Sequence, residues 1–578
     1  MHFISLFLVF AGVFVAHVVN AQPVQNNIRK LPELSAPLSI PMLLAGNYGE
    51  IRSTHFHAGI DIKTEQVEGK NVLAAWPGYI YRIVVQSGGY GRALYMKHDN
   101  GLVTVYAHLQ RFDPALEIFV REQQYRKKSF EVDLYPEAGL FAFSGGEIIG
   151  ISGNSGSSEG PHLHFEIRDA SGNVPFNALT YGFAIRDAVK PRINWLAVYP
   201  LDSQSRVNGA NRKLLIQILG RNGNYYPASG DIRVSGNIGF GIETFDFLDN
   251  SANSCSPYTL DMRVDDQLYY LCRFDSIPFS MSGYVNSHID FAESVLSGKK
   301  IQKLFIDPNN RLHIYKTAKN RGAVRFADSA VHRVDIRVKD AYGNETVLGF
   351  HVTSTGERPV LQASRPGGHI LFYYDSLNVF ENADVRLVVP QHALFDNIAF
   401  QYHGKLTDST CPGEMFGIHN EFTPLFKSCI LSLKASGIPE DLQDKAFLAG
   451  PGKKGNCVSH GGSFKDGFVT ARVKVFGRFF VALDTVSPVI APNGFLKGQT
   501  CREDQVLSFL IKDLQSGIRS YTGYIDKKWA LFEYDGKNDL LNYKIDASRL
   551  EKGKSHSLEI VVTDNKENVT RFVSDFLY

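Results

Sequence analysis

In His55–Ile62, HFHAGIDI, two histidines and an aspartate stand among glycine and apolar residues, and in Gly160–Ile167, GPHLHFEI, two further histidines alternate with apolar side chains. Imidazole and carboxylate hold transition metals, and imidazole moves protons near neutral pH. The apolar, β-branched character of GIDIKT and LHFEI favours strands, on which residues of equal parity share a face. His57 and Asp61 then point the same way across Gly59, and His162 and His164 share a face. A helix would also align His57 with Asp61 but would turn His162 about 200° from His164. Only the strand reading uses all four. Two imidazoles and one carboxylate make a catalytic zinc shell when a fourth position stays open to water. The candidate ligands are His57, Asp61 and His164. A mixed nitrogen and oxygen set suits zinc better than calcium or magnesium, whose sites are built from oxygens; copper and iron fit the same ligand types. The alternative for any one of these histidines is a structural role, satisfied inside a core.

Their neighbours carry expectations too. His55 shares parity with His57, but a fourth protein ligand would close the site to water. Glu166 lies on the His162 and His164 face; strand pairing is its expected role, and support behind a metal ligand is the lesser alternative. His98, in KHDNG, precedes a turn and is expected at the surface. Asn47 and Arg52 are candidates for substrate contact. Glycine-rich SGGYGRA is read as a turn, since no G-K-[ST] follows to make a phosphate loop.

Three segments, HFHAGID, TVYAHL and SGNSGSSEGPHLHFEI, resemble in content and order the signature segments of the lysostaphin-type, or LytM-like, zinc metallopeptidases. The resemblance covers roughly residues 40–182. It implies Zn2+ held by His57 and Asp61 of an H-x-x-x-D element and by His164 of an H-x-H element, with His108 and His162 as catalytic histidines. It also implies a small antiparallel β-sheet groove of the duplicated-hybrid-motif type, and as substrates the peptide cross-links of bacterial peptidoglycan.

Between YAHL and SGNSG an insertion, about residues 110–144, places Leu116, Phe119, Val120 and Gln123 at helical spacing. It predicts a short helix, followed by the strand SFEVDLY. The segment forms either a wall or lid of the groove, or structural filler.

These elements belong to a long chain. At 578 residues it holds several cores, and 44% hydrophobic with 21% charged residues places it among soluble globular proteins. With 61 Lys and Arg against 59 Asp and Glu, no global field favours nucleic acid. Phe3–Ala16 is an apolar run too short for a comfortable span, and Val19-Asn20-Ala21 makes a cleavage site. Residues 1–21 therefore read as a signal peptide, and the mature chain is expected to be exported, periplasmic or secreted, with no transmembrane span. All six cysteines follow residue 250. Pairs Cys255 with Cys272 and Cys411 with Cys429 are plausible disulfides, and a reduced, buried state is an equal alternative.

Two motifs occur twice. DAVKPRI at Asp187–Ile193 matches DTVSPVI at Asp484–Ile490 as D-x-V-x-P-x-I, and HRVDIRVKDAYGNET from His332 matches HSLEIVVTDNKENVT from His556. Each histidine opens an alternating strand that ends in an Asp-to-Asn turn. Two copies of one module are implied, read as immunoglobulin-like β-sandwiches. N-x-T occurs at Asn344 and Asn568, where a repeated turn explains the asparagines better than glycosylation does. The expected fold is thus mainly β: a metallopeptidase domain over 22–186, an immunoglobulin-like module with insertions over 187–353, a β-rich domain of unnamed fold over 354–483, and a compact module over 484–578.

The expected function is a zinc endopeptidase that cuts peptidoglycan stem-peptide cross-links or cross-bridges, with the modules positioning it and taking no part in bond cleavage. An envelope protein reached through those modules is a second candidate partner. The alternative is a non-catalytic envelope binding or scaffold protein.

Overall fold

Alternation of side chains along one strand sets both the core and the site. In His162–Arg168, Leu163, Phe165 and Ile167 are fully buried against the core, while His162, His164 and Glu166 take the opposite face. The partner strand Ile60–Lys63 repeats the pattern, with Ile60 and Ile62 in the core and Asp61 on the other side. The two run antiparallel in a register that sets His164 opposite Asp61 and Phe165 opposite Ile60. Directly opposed residues bring their Cβ atoms within about 5.5 Å. The histidine and the aspartate are therefore placed together by strand pairing itself.

This computed structural model describes residues 34–221, 224–228, 230–356, 370–406, 414–452 and 456–578. The expected signal segment lies outside the described residues. No helix among them is long and apolar enough to cross a membrane. The N-terminal sheet runs, in spatial order, Leu44–Gly46, Ile60–Lys63, His162–Arg168, Val103–Ala107, Arg92–His98, Gly78–Val85 and Val132–Leu134. Every pairing along that path is antiparallel. A second small sheet of Asn71–Leu73, Ile148–Ser152 and Leu109–Phe112 closes the far side of the core around Trp76, Val72 and Ile149.

The insertion forms the expected helix, Pro114–Lys127. Asp113 caps it by accepting from the Ala115 N–H, Pro114 sits in the first turn, where its missing N–H costs nothing, and Lys128 ends it in the left-handed conformation. Leu116, Val120 and Gln124 are its buried residues. The inward polar side chain is thus Gln124, one position beyond the expected Gln123, because its amide donates to the Phe130 carbonyl at 2.7 Å. The helix is a packing element on its outer side too, where Tyr125 meets Trp529 edge-on and lies under Arg549.

The remainder is also β. Strands Arg192–Pro200, Leu214–Arg221 and Arg233–Phe247 and strands Thr259–Val264, Gln267–Arg273, Val331–Lys339 and Glu345–Ser354 surround one core. Two five-stranded sheets follow between Asn378 and Leu483, and two four-stranded sheets between Val489 and Leu577. The repeats of sequence are repeats of structure. His332 and His556 each place Nδ1 2.7 Å from an aspartate in the preceding hairpin, Asp265 or Asp526. Both hairpins turn through two residues of positive φ, Asp265-Asp266 and Asp526-Lys527, as a tight hairpin of this twist requires. Asn344 and Asn568 are engaged inside the fold, and Thr346 and Thr570 bond the carbonyls of Pro191 and Pro488.

The Cys255–Cys272 disulfide does not form. Both are free, buried thiols, Cys255 in the N-terminal core and Cys272 in the next one, so each packs as a small apolar group. Cys429 is also free and buried; its suggested partner, Cys411, lies outside the described residues.

One buried histidine makes this second core acid-sensitive. His288 is 1% exposed, with Nε2 3.0 Å from Gln302 Oε1 and the rings of Phe56 and Phe274 against it. Burial pushes its pKa from 6.5 down to about 4, opposed by the Gln302 hydrogen bond, with Lys303 lowering and Asp307 raising it. Between pH 6.5 and 4 the unfolded chain binds a proton that the folded chain refuses, so stability falls as pH drops through that window, by about 3 kcal/mol in all. Calorimetry of His288→Gln at pH 7 and near pH 4.5 is expected to show a smaller acid loss than the parent. An equal loss in both proteins contradicts this.

Candidate metal centre

Residues Asn47–His57 form a loop that returns on itself: the His57 N–H donates to the Glu50 carbonyl at 2.8 Å, and the Gly49 N–H to the His57 carbonyl at 2.9 Å. His57 Nδ1 lies 2.7 Å from the Asn47 carbonyl, which can only accept, so Nδ1 donates to it and Nε2 faces the cluster. That Nε2 is 3.0 Å from His164 Nδ1 and 3.1 Å from Asp61 Oδ1, and His164 Nδ1 is 2.8 Å from the same oxygen. One atom from each residue thus falls within a 4.8 Å cluster. Gly59 makes the approach possible, because a Cβ there would stand 2.3 Å from the Phe165 carbonyl oxygen and 3.1 Å from His164 Cε1.

Behind His164 a charged chain fixes the ring. Its Nε2 is 2.8 Å from Glu166 Oε1, and Glu166 Oε2 accepts from Arg168 Nε at 2.6 Å. Tyr90 also donates to Glu166. Glu166 is fully buried, which alone would raise its pKa, but Arg168 and His164 hold it far below the usual carboxylate range. An ionised Glu166 accepts the Nε2–H hydrogen bond and leaves Nδ1 facing the cluster, the arrangement that orients metal-bound histidines. Asp61 is likewise held well below its usual value against burial, by the charge of His57 and by hydrogen bonds from His162, His164 and His57. Against its own burial, His164 is raised to about 9 by its hydrogen bonds to the Asp61 and Glu166 carboxylates and by their charge. The centre therefore demands positive charge between its three inner atoms. A divalent cation with nitrogen and oxygen affinity satisfies that demand, so the donor set fits zinc.

The other two histidines flank the cluster. His108 has a positive φ of 61°, a conformation that costs a non-glycine residue about 1–3 kcal/mol and is retained where function requires it. Its Nδ1 lies 2.9 Å from the Ser155 carbonyl, which places Nε2 towards the cluster as an acceptor. Burial, with the neighbouring His164 and His162, pushes its pKa down to about 3. His162 Nδ1 is 2.8 Å from the Gly160 carbonyl, and its Nε2 is 3.5 Å from Asp61 Oδ1. The rings of His108 and His162 are 4.8 Å apart.

The model of peptidase family M23 matches residues 55–125, and that of a Zu5-like domain matches residues 369–484. A DD-carboxypeptidase/endopeptidase of Neisseria meningitidis is 36% identical over 118 residues, 20% of this chain and 21% of that one. The chain carries a peptidase family M23 domain. An uncharacterised metalloprotease of Haemophilus influenzae is 34% identical over 110 residues, 19% of this chain and 18% of its own. The matches therefore span about a fifth of the length of these curated relatives. Among solved structures, the catalytic domain of the M23 protein EnpA from Enterococcus faecalis is 25% identical, covering 22% of this chain and 82% of that one at a TM-score of 0.17. The lysostaphin catalytic domain from Staphylococcus simulans is 21% identical, covering 24% and 91% at 0.17.

Several neighbours of the M23 centre differ from expectation. Glu166, with strand pairing as its expected role and support of a ligand as the lesser alternative, does the latter: it bonds a cluster histidine. His98 is buried, not at the surface: its ring lies edge-on to Trp76, with Nε2 2.7 Å from Thr104 Oγ1. Asn47 is buried and unavailable to substrate, since its amide exchanges two 2.8 Å hydrogen bonds with the backbone of Ser256. Arg52 lies 3.1 Å from Asp61 Oδ2 and 2.9 Å from Glu50, so it steadies the outer oxygen of the carboxylate. His55 is exposed and stands outside the cluster. The glycines of SGGYG and SGNSG belong to two loops in close contact; a Cβ on Gly156 would lie 2.3 Å from the Gly91 nitrogen.

The modules pack directly against the loops that carry the site. Tyr48, Ile51 and Phe56 of the His57 loop are buried in the core built by strands beyond residue 190. The Phe56 N–H donates to Ser282 Oγ at 2.9 Å, and Lys300 Nζ donates to the Ile51 carbonyl at 2.6 Å. On the opposite rim, Lys537 of the C-terminal sheets donates to the carbonyls of Asn154 and Ser158, in the loop that leads to His162.

Proposed function

We propose that the protein is an exported zinc-dependent endopeptidase that hydrolyses the peptide cross-links of bacterial peptidoglycan. One observation carries this reading: three inner donor atoms converge, and beside them two further histidines, His108 and His162, are each oriented through Nδ1 by a backbone carbonyl. His57, Asp61 and His164 would hold the metal. When bound, zinc lowers the pKa of its water towards about 7 and polarises the scissile carbonyl. The residues supply the rest. His108, neutral at working pH and with its Nδ1 proton committed to Ser155, offers Nε2 as an acceptor that orients the attacking water. His162, committed through Nδ1 to Gly160, offers its Nε2 to take the proton as the water attacks and to return it to the leaving amine. Arg52 and Glu166 keep Asp61 and His164 in place.

The printed name of the Neisseria relative, DD-carboxypeptidase/endopeptidase, supports a peptidoglycan stem peptide as substrate. The cleaved bond would be a D-alanyl to diaminopimelate cross-link, with a glycine bridge as the alternative. His162→Ala and His108→Ala are each expected to retain zinc, and to lose at least about 10²-fold in the rate of muropeptide-dimer cleavage. Zinc by elemental analysis and released muropeptides by mass spectrometry measure the two effects. Near-normal rates in both variants would remove the catalytic roles given to these histidines, absence of cleavage by the parent protein would support the non-catalytic scaffold, and a metal-free variant would make that histidine a ligand.

A further inference from the structure

The two repeated motifs meet in space, and they do so in both copies. In the first, Asp187 of D-x-V-x-P-x-I, Asp340 of the Asp-to-Asn turn and Asp246 at the end of the Arg233–Phe247 strand bring one carboxylate oxygen each within 4.8 Å of the others. Asp484, Asp564 and Asp513 do the same in the second. The asparagines brace the two frames alike. Asn344 Nδ2 donates to the Asp187 carbonyl at 3.3 Å and to Asp340 Oδ2 at 2.6 Å; Asn568 Nδ2 donates to the Asp484 carbonyl at 3.0 Å and to Asp564 Oδ2 at 2.7 Å.

What neutralises the acids differs. Two residues beyond Asp564 stands Lys566, whose ammonium acts electrostatically on Asp484 and Asp564 and is anchored on the carbonyls of Ala446 and Gly462. Asp484 also accepts the Val486 and Ser516 N–H groups, one on each oxygen. In the first copy the position of Lys566 is taken by Tyr342, which is neutral and whose buried hydroxyl has no hydrogen-bond partner. Asp246 is 3% exposed, and its Oδ1 has no donor; neither has Asp187 Oδ2. Among the described residues no lysine, arginine or histidine forms an ion pair with these three aspartates. Burial, and then the mutual repulsion of the carboxylates, pushes Asp246 up to about 8 and Asp187 up to about 6. Buried carboxylates without a partner are retained where something else supplies the charge.

We propose that Asp187, Asp246 and Asp340, with the Tyr342 hydroxyl beside them, form a binding site for a divalent cation of the calcium class that locks this module onto the M23 domain. The donors are oxygens alone, which selects a hard cation and disfavours zinc. The three segments lie against the M23 core: Ala341 and Tyr342 pack on it, and Leu248 and Cys255, which follow Asp246, are part of it. Ser256, the next residue, is the one that holds Asn47. A cation joining these segments therefore braces the loop that carries His57.

The test uses the full chain, stripped of metal, reloaded with one equivalent of zinc and titrated with calcium chloride by calorimetry, with melting followed in parallel. One calcium ion per chain and a raised melting temperature are expected at about 1 mM calcium, the range of extracellular modules. Asp246→Asn should abolish both responses. Because the amide is neutral without having to bind a proton on folding, it should also raise the melting temperature of the calcium-free protein above that of the parent. Asp187→Asn tests the same site from a second segment, and Asp513→Asn, in the copy that has its own lysine, should keep the calcium response. The proposal is overturned if the parent binds no calcium, if Asp246→Asn and Asp187→Asn leave its binding intact, or if Asp513→Asn abolishes it.

Discussion

Asp61→Ala is expected to emerge with less than about a tenth of the parent's zinc and with no measurable peptide cleavage, while the sheets beyond residue 370 melt as before. Asp61 does three things at once. Its Oδ1 is one of the three converging donors, it lies within 3.1 Å of both His57 Nε2 and His164 Nδ1, and its charge is what those imidazoles face. Without it, two buried imidazoles remain opposed with no anion between them, and a third metal donor is gone. Loss of a group behind a ligand typically costs 10- to 100-fold in metal affinity. Loss of the ligand itself must cost more. Glu166→Gln supplies the graded control, since it keeps all three donors and removes only the carboxylate behind His164; it should fall within that 10- to 100-fold range. Elemental analysis after dialysis at a fixed free zinc concentration orders the three proteins. Full zinc occupancy in Asp61→Ala would remove this residue from the metal shell.

Most of the cluster was legible in the sequence because strand parity is a local property: Asp61 on one strand and His162 and His164 on its partner needed only a period of two to share faces, and register then set Asp61 against His164. His57, expected on the strand of Asp61, lies instead in the loop before it and is brought in by that loop's hydrogen bonds. The insertion helix and the duplicated His332 and His556 strands were legible for the same reason, each being a periodic pattern within one segment. What covers a face is not local. Glu166 could be placed on the correct side of its strand, but its role depends on Tyr90 and Arg168 closing one end and leaving the other to His164. His98 stands before a turn, yet the Trp76 ring and Thr104 arrive from other strands to bury it. The cysteine pairing failed on the same ground, because even spacing cannot report that Cys255 and Cys272 lie in two different cores.

The same non-local packing makes the fate of the isolated M23 domain a large and decisive effect. A fragment of residues 22–186 contains all five histidine and aspartate positions, and on sequence alone it would keep zinc and activity. The structure points the other way. Tyr48, Ile51 and Phe56 are 1%, 8% and 2% exposed only because strands beyond residue 190 cover them. Uncovering three such side chains forfeits roughly 5–9 kcal/mol at about 1.5–3 kcal/mol each, which is comparable with the whole stability of a small domain. These residues sit in the loop whose Asn47 carbonyl orients His57, and the Asn47 side chain is itself held by Ser256. The 22–186 fragment is therefore expected to bind zinc weakly and to cleave soluble muropeptide dimers at no detectable rate. A fragment of residues 22–356, which restores that core, should hold one zinc ion. Because it still lacks Lys537 on the Asn154–Ser158 loop, it should cleave more slowly than the full chain, and that deficit isolates the contribution of the second rim. Stoichiometric zinc and near-parental cleavage by residues 22–186 would show that the loop keeps its form unaided, and that the modules only deliver the domain to its substrate.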